Sequence, residues 1–303
     1  MDVRNLAIGI AYLSQTIVGI LGNFSFLYHY ALLYFSGCRL RPTDLILMNL
    51  FIANSMAILP KGIPQTMVSL GWKGFFDDIA CKLLSYSAKL GRGVSLASTC
   101  LLSVFQVITI SPRTSRWAEL KRKAPKYIGP SLVTCWILHM LVNIIYPIFV
   151  ISKCSSLNIT YRKDIGYCSS VRHDRTRDSL YAALLFAPDA LCLGLMIWAS
   201  GSMVSILYRH QKQVQHIHRN SVSSRLPAES RASKTILLLV STFVGFYSFS
   251  TFFHFYLGLD ENPRWWLENA PALIHACFPA VSPFILMSRD SSVSRTCFSQ
   301  TGR

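Results

Sequence analysis

Residues 6–35, LAIGIAYLSQTIVGILGNFSFLYHYALLYF, run for thirty positions without an Asp, Glu, Lys or Arg. A helix needs about 20 apolar residues to cross the hydrocarbon core of a bilayer, so this stretch spans with length to spare. Six more mostly apolar stretches follow at residues 45–70, 83–111, 128–151, 180–207, 235–259 and 267–286, separated by short polar joints. Inside hydrocarbon every backbone N–H and C=O must be bonded within its own segment, which makes these stretches helices despite their many Val, Ile and Thr residues. The pattern predicts an all-α membrane protein, a seven-transmembrane-helix bundle.

The bulk numbers agree. The chain has 303 residues, of which 51% are hydrophobic and only 15% charged, and its mean hydropathy is +0.37. Seven spans and their joints consume nearly all of that length, so residues 1–303 read as one domain, with 287–303 as a short tail. The longest polar segments, about 152–179 and 209–234, are of ordinary loop size. No internal repeat of the kind many transporters carry is visible. Residues 1–5 lead straight into a stretch too long for a signal-peptide apolar region, so the first helix is expected to direct insertion itself.

A formal net charge of +16 could indicate nucleic acid, but the placement of the charge argues otherwise. With seven spans the joints fall into two sets on opposite sides. One set, including Arg113, Arg209, Lys212 and Lys234, holds 17 basic residues against four acidic ones; the other is nearly balanced. A Lys/Arg excess marks the cytoplasmic side, which puts the N-terminus outside and the C-terminus inside. The basic face is a topology signal and a contact for anionic lipid, and no nucleic-acid partner is expected.

Of nine cysteines, Cys100, Cys135, Cys192 and Cys277 lie within spans, where a thiol behaves as a small buried hydrophobe. Cys81, Cys154 and Cys168 fall on the outer side, a compartment that permits disulfides. Three arrangements are open from the residues alone: a Cys81–Cys168 bond, a local Cys154–Cys168 staple, or a free Cys81. Asn158-Ile159-Thr160 on the same side is an N-glycosylation acceptor pattern.

Gly22-Asn23 in the first span, Cys81 opening the third, Trp136 within the fourth and Pro283 near the end of the seventh resemble the landmarks of a rhodopsin-like G-protein-coupled receptor. The runs LILMNLFIANSMAILPKGIPQTM, CLLSVFQVITISP, LCLGLMIWASGSMVSILYRHQKQVQHIHR and SRASKTILLLVSTFV are similar, more specifically, to vomeronasal type-1 receptors, and the likeness extends over essentially the whole chain. It implies a Cys81–Cys168 disulfide, a small organic ligand bound from outside and a heterotrimeric, inhibitory-type G-protein inside. It also implies a plasma-membrane location in chemosensory neurons and a G-protein-facing surface that includes Gln106, Arg113, Arg209, His210, Lys212 and Lys234.

Some positions depart from the wider rhodopsin-like pattern. Asn54 stands where most such receptors have an ion-binding Asp, Phe105-Gln106-Val107 replaces the acidic-Arg-Tyr triplet, and Ser282-Pro283-Phe284-Ile285-Leu286 replaces Asn-Pro-x-x-Tyr. The cationic latch of the wider class is therefore missing, which argues for a different switch. Pro271, Pro279 and Pro283 each free a backbone carbonyl in the seventh span.

No catalytic constellation is present: there is no Gly-rich phosphate loop, no Gly-x-Ser-x-Gly and no His-Glu-x-x-His, and Gly91-Arg92-Gly93 lacks the strand and third Gly of a dinucleotide site. Neither an enzyme nor a cofactor is expected. His210, His216 and His218 sit in a basic segment that disfavours a metal cation. The competing readings are a bitter-taste-like chemoreceptor and, from another class, a small channel or transporter. A conduit would be lined by charge along its length, whereas here Lys61, Lys89, Arg92 and Asp189 all fall in the outer half.

Those four residues are the candidate ligand site. Lys89 and Arg92 lie about 12 and 16 Å down the third span from Cys81 at 1.5 Å per residue, on one face. Three cations against one carboxylate leave a surplus that an anionic or strongly hydrogen-bond-accepting ligand, such as a carboxylate, a sulfate or a ketone-bearing steroid, relieves. An Arg92–Asp189 bridge with outward-snorkelling lysines is the alternative arrangement.

Overall fold

The computed structural model describes residues 3–38, 40–72, 76–111, 115–152, 162–165, 168–171, 175–217, 228–259 and 265–287. Among them are seven α-helices: α1 (Val3–Phe35), α2 (Pro42–Ser69), α3 (Asp78–Ile110), α4 (Ser115–Asn143), α5 (Arg175–Ile217), α6 (Ala228–Leu259) and α7 (Trp265–Met287). Five helical segments, in α1, α2, α3, α5 and α6, have the length and apolarity to cross a membrane, with mean hydropathy from 1.2 to 1.9. Large apolar side chains stay exposed along α1 at Ile10, Leu13, Ile17, Leu21, Phe24 and Tyr28. Their spacing of three or four residues makes a continuous outward stripe, the face a bilayer would cover.

The fourth helix departs from the sequence reading. A span over 128–151 is expected, but α4 begins at Ser115 and ends at Asn143. Ala118 to Ala124 is a run of good helix formers, so the helix starts outside the apolar stretch. It stops at Asn143, whose carbonyl finds no helical partner because Pro147, four residues on, has no N–H; a 3-10 turn, Tyr146–Phe149, follows. Three short strands then replace the end of the expected span and part of the expected loop: β1 (Val150–Ser152), β2 (Arg162–Ile165) and β3 (Cys168–Val171). They form one antiparallel sheet in the order β1-β3-β2, with Val150 opposite Ser170 and Arg162 opposite Val171. Cys154, Asn158 and Arg113 lie outside the described residues.

Helix α3 is the hub, packing against α2, α4, α5 and α6. Gly93 to Cys100 are all buried, and the sequence there, GVSLASTC, explains how a helix can be surrounded on every side. Small side chains let neighbouring backbones approach closely when no hydrophobic driving force separates protein from lipid. Their hydroxyls are met locally: Ser98 donates to the Val94 carbonyl at 2.6 Å and Thr99 to that of Ser95 at 2.9 Å. Gly91 meets the α2 backbone itself, since a Cβ there would lie 2.6 Å from the Ala57 nitrogen and 2.7 Å from the Ala53 oxygen; a Cβ on Gly93 would lie 2.3 Å from Nδ1 of the His139 ring on α4.

The strands are fastened to α3 by a Cys81–Cys168 disulfide with Cα atoms 5.9 Å apart, the pairing implied by the family resemblance. Both cysteines and Val150 are fully or almost fully buried in a small cluster with Val68, Phe76 and Leu84 around them.

Two outcomes are expected. Gly91→Ala pushes two helix backbones apart and lowers stability by about 1 to 3 kcal/mol, seen as a lower unfolding midpoint of the solubilised protein, whereas Gly245→Ala, with open space around it inside α6, does not lower the midpoint and raises it slightly. Breaking a link across 87 residues releases about 4 to 5 kcal/mol of restraint on the unfolded chain. Cys81→Ser and Cys168→Ser therefore lose surface expression alike while Cys154→Ser is mild; an essential Cys154 with a dispensable Cys81 refutes this assignment.

Candidate functional site

A small, half-open cavity lies between α3, α6 and α7. Helix α3 contributes Arg92 and Ser95 to its lining, α6 contributes Phe243, Phe246 and Tyr247, and α7 contributes His275, Phe278 and Pro279. The aromatic wall is internally packed: the Phe243 ring meets Phe278 edge-on at 4.5 Å and stacks on Tyr247 at 6.1 Å. Such a lining, mostly apolar with a few convergent polar groups, suits a small organic ligand.

Arg92 sits at the polar corner. Its Nη2 is 3.6 Å from Oδ2 of Asp189 on α5, with the two side chains 27% and 15% exposed. The same oxygen accepts from the Tyr247 hydroxyl at 3.4 Å, and the guanidinium carbon lies 5.0 Å from the Tyr247 ring centroid, within cation–π range. Arg92 thereby ties α3 to α5 and α6. Of the four residues singled out in the sequence, only Arg92 lines the cavity. Asp189 stands behind it as partner, and Lys61 and Lys89 lie near enough for their charges to act on Arg92 and on each other without reaching the lining. The aromatic wall and His275 went unseen in the sequence because Phe, Tyr and His at helical spacing read as ordinary core.

The floor of the cavity belongs to a buried polar network. Ser95 donates to Oδ1 of Asn54 on α2 at 2.6 Å. The Asn54 amide nitrogen donates to Oδ1 of Asn23 on α1 at 3.2 Å and to the Ser282 hydroxyl on α7 at 2.9 Å. Asn23 in turn donates to the carbonyls of Gly19 at 2.7 Å and Pro279 at 2.9 Å. The Pro279 carbonyl is available because Pro283, four residues on, has no N–H to offer it. Two residues of the cavity lining, Ser95 and Pro279, are thus members of one network spanning four helices.

At the far end of α3, Gln106 is buried rather than presented on a surface, and its Nε2 donates to the hydroxyl of Ser233 on α6 at 3.2 Å. A neutral hydrogen bond holds the place where the wider receptor class keeps a charged latch. Arg209, Lys212 and Lys234 are exposed, with the Lys212 ammonium 4.9 Å from the Tyr208 ring centroid. The His210 side chain lies outside the described ones.

The crystal structure of squid rhodopsin superposes on this bundle with a TM-score of 0.71 over 100% of this chain and 87% of that one, at 17% identity; that likeness speaks for the seven-helix, rhodopsin-like fold alone. Human vomeronasal type-1 receptor 4 is 53% identical over 298 residues, covering 98% of this chain and 99% of that protein. Human vomeronasal type-1 receptor 2 is 56% identical over 285 residues, 94% of this chain and 72% of that protein. Olfactory receptor class A-like protein 1 of Danio rerio is 28% identical over 291 residues, 96% of this chain and 91% of that protein. A model of the vomeronasal organ pheromone receptor family matches residues 6–299, and with these identities over nearly the whole length the chain belongs to that family.

Proposed function

We propose that this multi-pass membrane receptor binds a small anionic or ketone-bearing, steroid-like molecule in the α3–α6–α7 cavity and signals to an inhibitory-type heterotrimeric G-protein. The observation that carries the reading is Arg92, a cation in the lining of a largely aromatic cavity. Asp189 engages one guanidinium nitrogen through Oδ2 at 3.6 Å, a longer contact than a charge-assisted hydrogen bond, so the guanidinium keeps N–H groups for a ligand oxygen. Lys61 and Lys89 add positive potential behind it. Ser95 and His275 supply further polar anchors.

The receptor resides in the plasma membrane of chemosensory neurons, with the N-terminus, the Cys81–Cys168 bond and a glycan on Asn158 outside. The basic joints, including Arg113, and the α5 extension with Arg209, His210 and Lys212 face the G-protein. Ligand moves the equilibrium only through differential affinity for two shapes of the bundle. Polar contacts tie α6 to α3 at two levels, Arg92 with Tyr247 near one end and Gln106 with Ser233 near the other, and the first of these borders the cavity.

In cells carrying a promiscuous G-protein, with a ligand panel and calcium readout, Arg92→Ala weakens the response to the cognate ligand roughly tenfold to a hundredfold, the loss of a hydrogen bond to a charged group. Lys89→Ala weakens it less and Lys61→Ala least, with surface expression kept in all three. If Arg92→Ala and Asp189→Ala are both retained inside the cell, the pair is a structural bridge and the acidic-ligand reading falls.

Gln106→Arg places a cation against the buried Ser233 hydroxyl, with Phe105 rather than a carboxylate beside it. Coupling is expected to fall or become ligand-independent. A large gain in ligand-driven signalling overturns this account of the α3–α6 contact.

A further inference from the structure

The end of α4 nearest Ser115 carries Lys121, Arg122, Lys123 and Lys126. Lys121 is partly buried and donates to the Ser111 carbonyl at the end of α3, while Lys123 is paired with Glu119 at 2.6 Å. Arg122 and Lys126 are exposed, and among the described residues neither has an acidic partner. Being four residues apart, they lie one above the other on a single face.

That face has a direction. At 100° per residue, Arg122 and Lys126 fall within the sector of α4 that continues as Val133, Ile137 and Leu141, which are 58%, 49% and 61% exposed and form the helix's outward apolar stripe. Ile128 and His139, on the opposite side, are buried in the bundle. The two cations therefore sit below a lipid-facing stripe and point away from the α3–α6 contact at Gln106. Lys126 is seven residues, about 10 Å, from Val133, the distance from acyl chain to headgroup. Tyr127, 62% exposed, stands beside them as an aromatic at the polar–apolar border.

We propose that Arg122 and Lys126 form a headgroup site for an anionic phospholipid. The guanidinium engages the phosphate through paired N–H donors, the ammonium adds a point charge one turn away, and the acyl chains lie along Val133, Ile137 and Leu141. A G-protein contact is the rival occupant, disfavoured because these side chains share the lipid-facing sector.

The test is native mass spectrometry of the full chain purified in detergent, titrated with phosphatidylserine or phosphatidylcholine. The wild type is expected to retain phosphatidylserine in preference, with the preference falling as salt rises. Arg122→Gln and Lys126→Gln are each expected to lower it roughly fivefold, about 1 kcal/mol per cation, with unchanged binding of phosphatidylcholine and an unchanged unfolding midpoint. Inorganic phosphate does not compete, because it lacks the acyl chains. Absence of any preference in the wild type overturns the site, and so does a double variant that binds phosphatidylserine as the wild type does. If the double variant keeps its lipid but loses G-protein activation, the patch belongs to the G-protein instead. Should one variant fail to fold, the other single variant decides the question.

Discussion

A polar side chain in hydrocarbon has no water to turn to, and the arrangement of this bundle follows from how Asn54 is satisfied. It is 0% exposed, and its amide uses its oxygen on Ser95 and both hydrogens on Asn23 and Ser282. An unmet buried polar group costs about 1 to 3 kcal/mol, so the network is stable only when α1, α2, α3 and α7 stand at one depth and one rotation. Apolar packing is tolerant of sliding; directional hydrogen bonds are not. Pro283 fits the same logic, since the carbonyl it strips of a helical partner is the one that Asn23 reaches.

Helix α3 converts that constraint into a scaffold. Gly91 admits the α2 backbone and Gly93 admits the His139 ring, so Arg92 between them is held while its side chain turns toward α5 and α6. A tripeptide that resembles part of a nucleotide loop in one dimension is a helix-packing device in three. Above it, the Cys81–Cys168 bond fastens the strands over the bundle. Below it, Gln106 reaches Ser233. Arg92 and Gln106 are 14 residues apart on α3, as are Ser233 and Tyr247 on α6, almost four helical turns on each. The two ties therefore lie on one face of each antiparallel helix, about 21 Å apart at 1.5 Å per residue, and α6 is held to α3 by polar contacts at both levels.

The cavity joins these two systems. Its lining includes Ser95 and Pro279 from the Asn54 network and Tyr247 from the upper α3–α6 tie. A molecule that displaced Tyr247 or drew Arg92 away from Asp189 would alter the balance between the ties. A ligand shifts an equilibrium only through contacts that differ between the two states.

Seven apolar stretches, their Lys/Arg asymmetry and the runs shared with a receptor family were legible in the chain itself, because bilayer thickness and the need to satisfy every backbone group constrain sequence locally. The charged residues were legible too, but their roles were not. Arg92 and Lys89 share a face of α3, yet only Arg92 lines the cavity, since that depends on where α6 and α7 stand. Phe243, Tyr247, His275 and Phe278 carry no local mark that separates a cavity wall from a core. The early start of α4 and the short strands lay beyond the hydropathy pattern, because charged helix formers and Pro147 decide them and apolarity does not. Hydrophobic length is a property of one segment and can be read along the chain. Which polar groups meet, Asn54 with Ser282 or Gln106 with Ser233, is a property of helices brought together from distant parts of it, and only the packed bundle decides that.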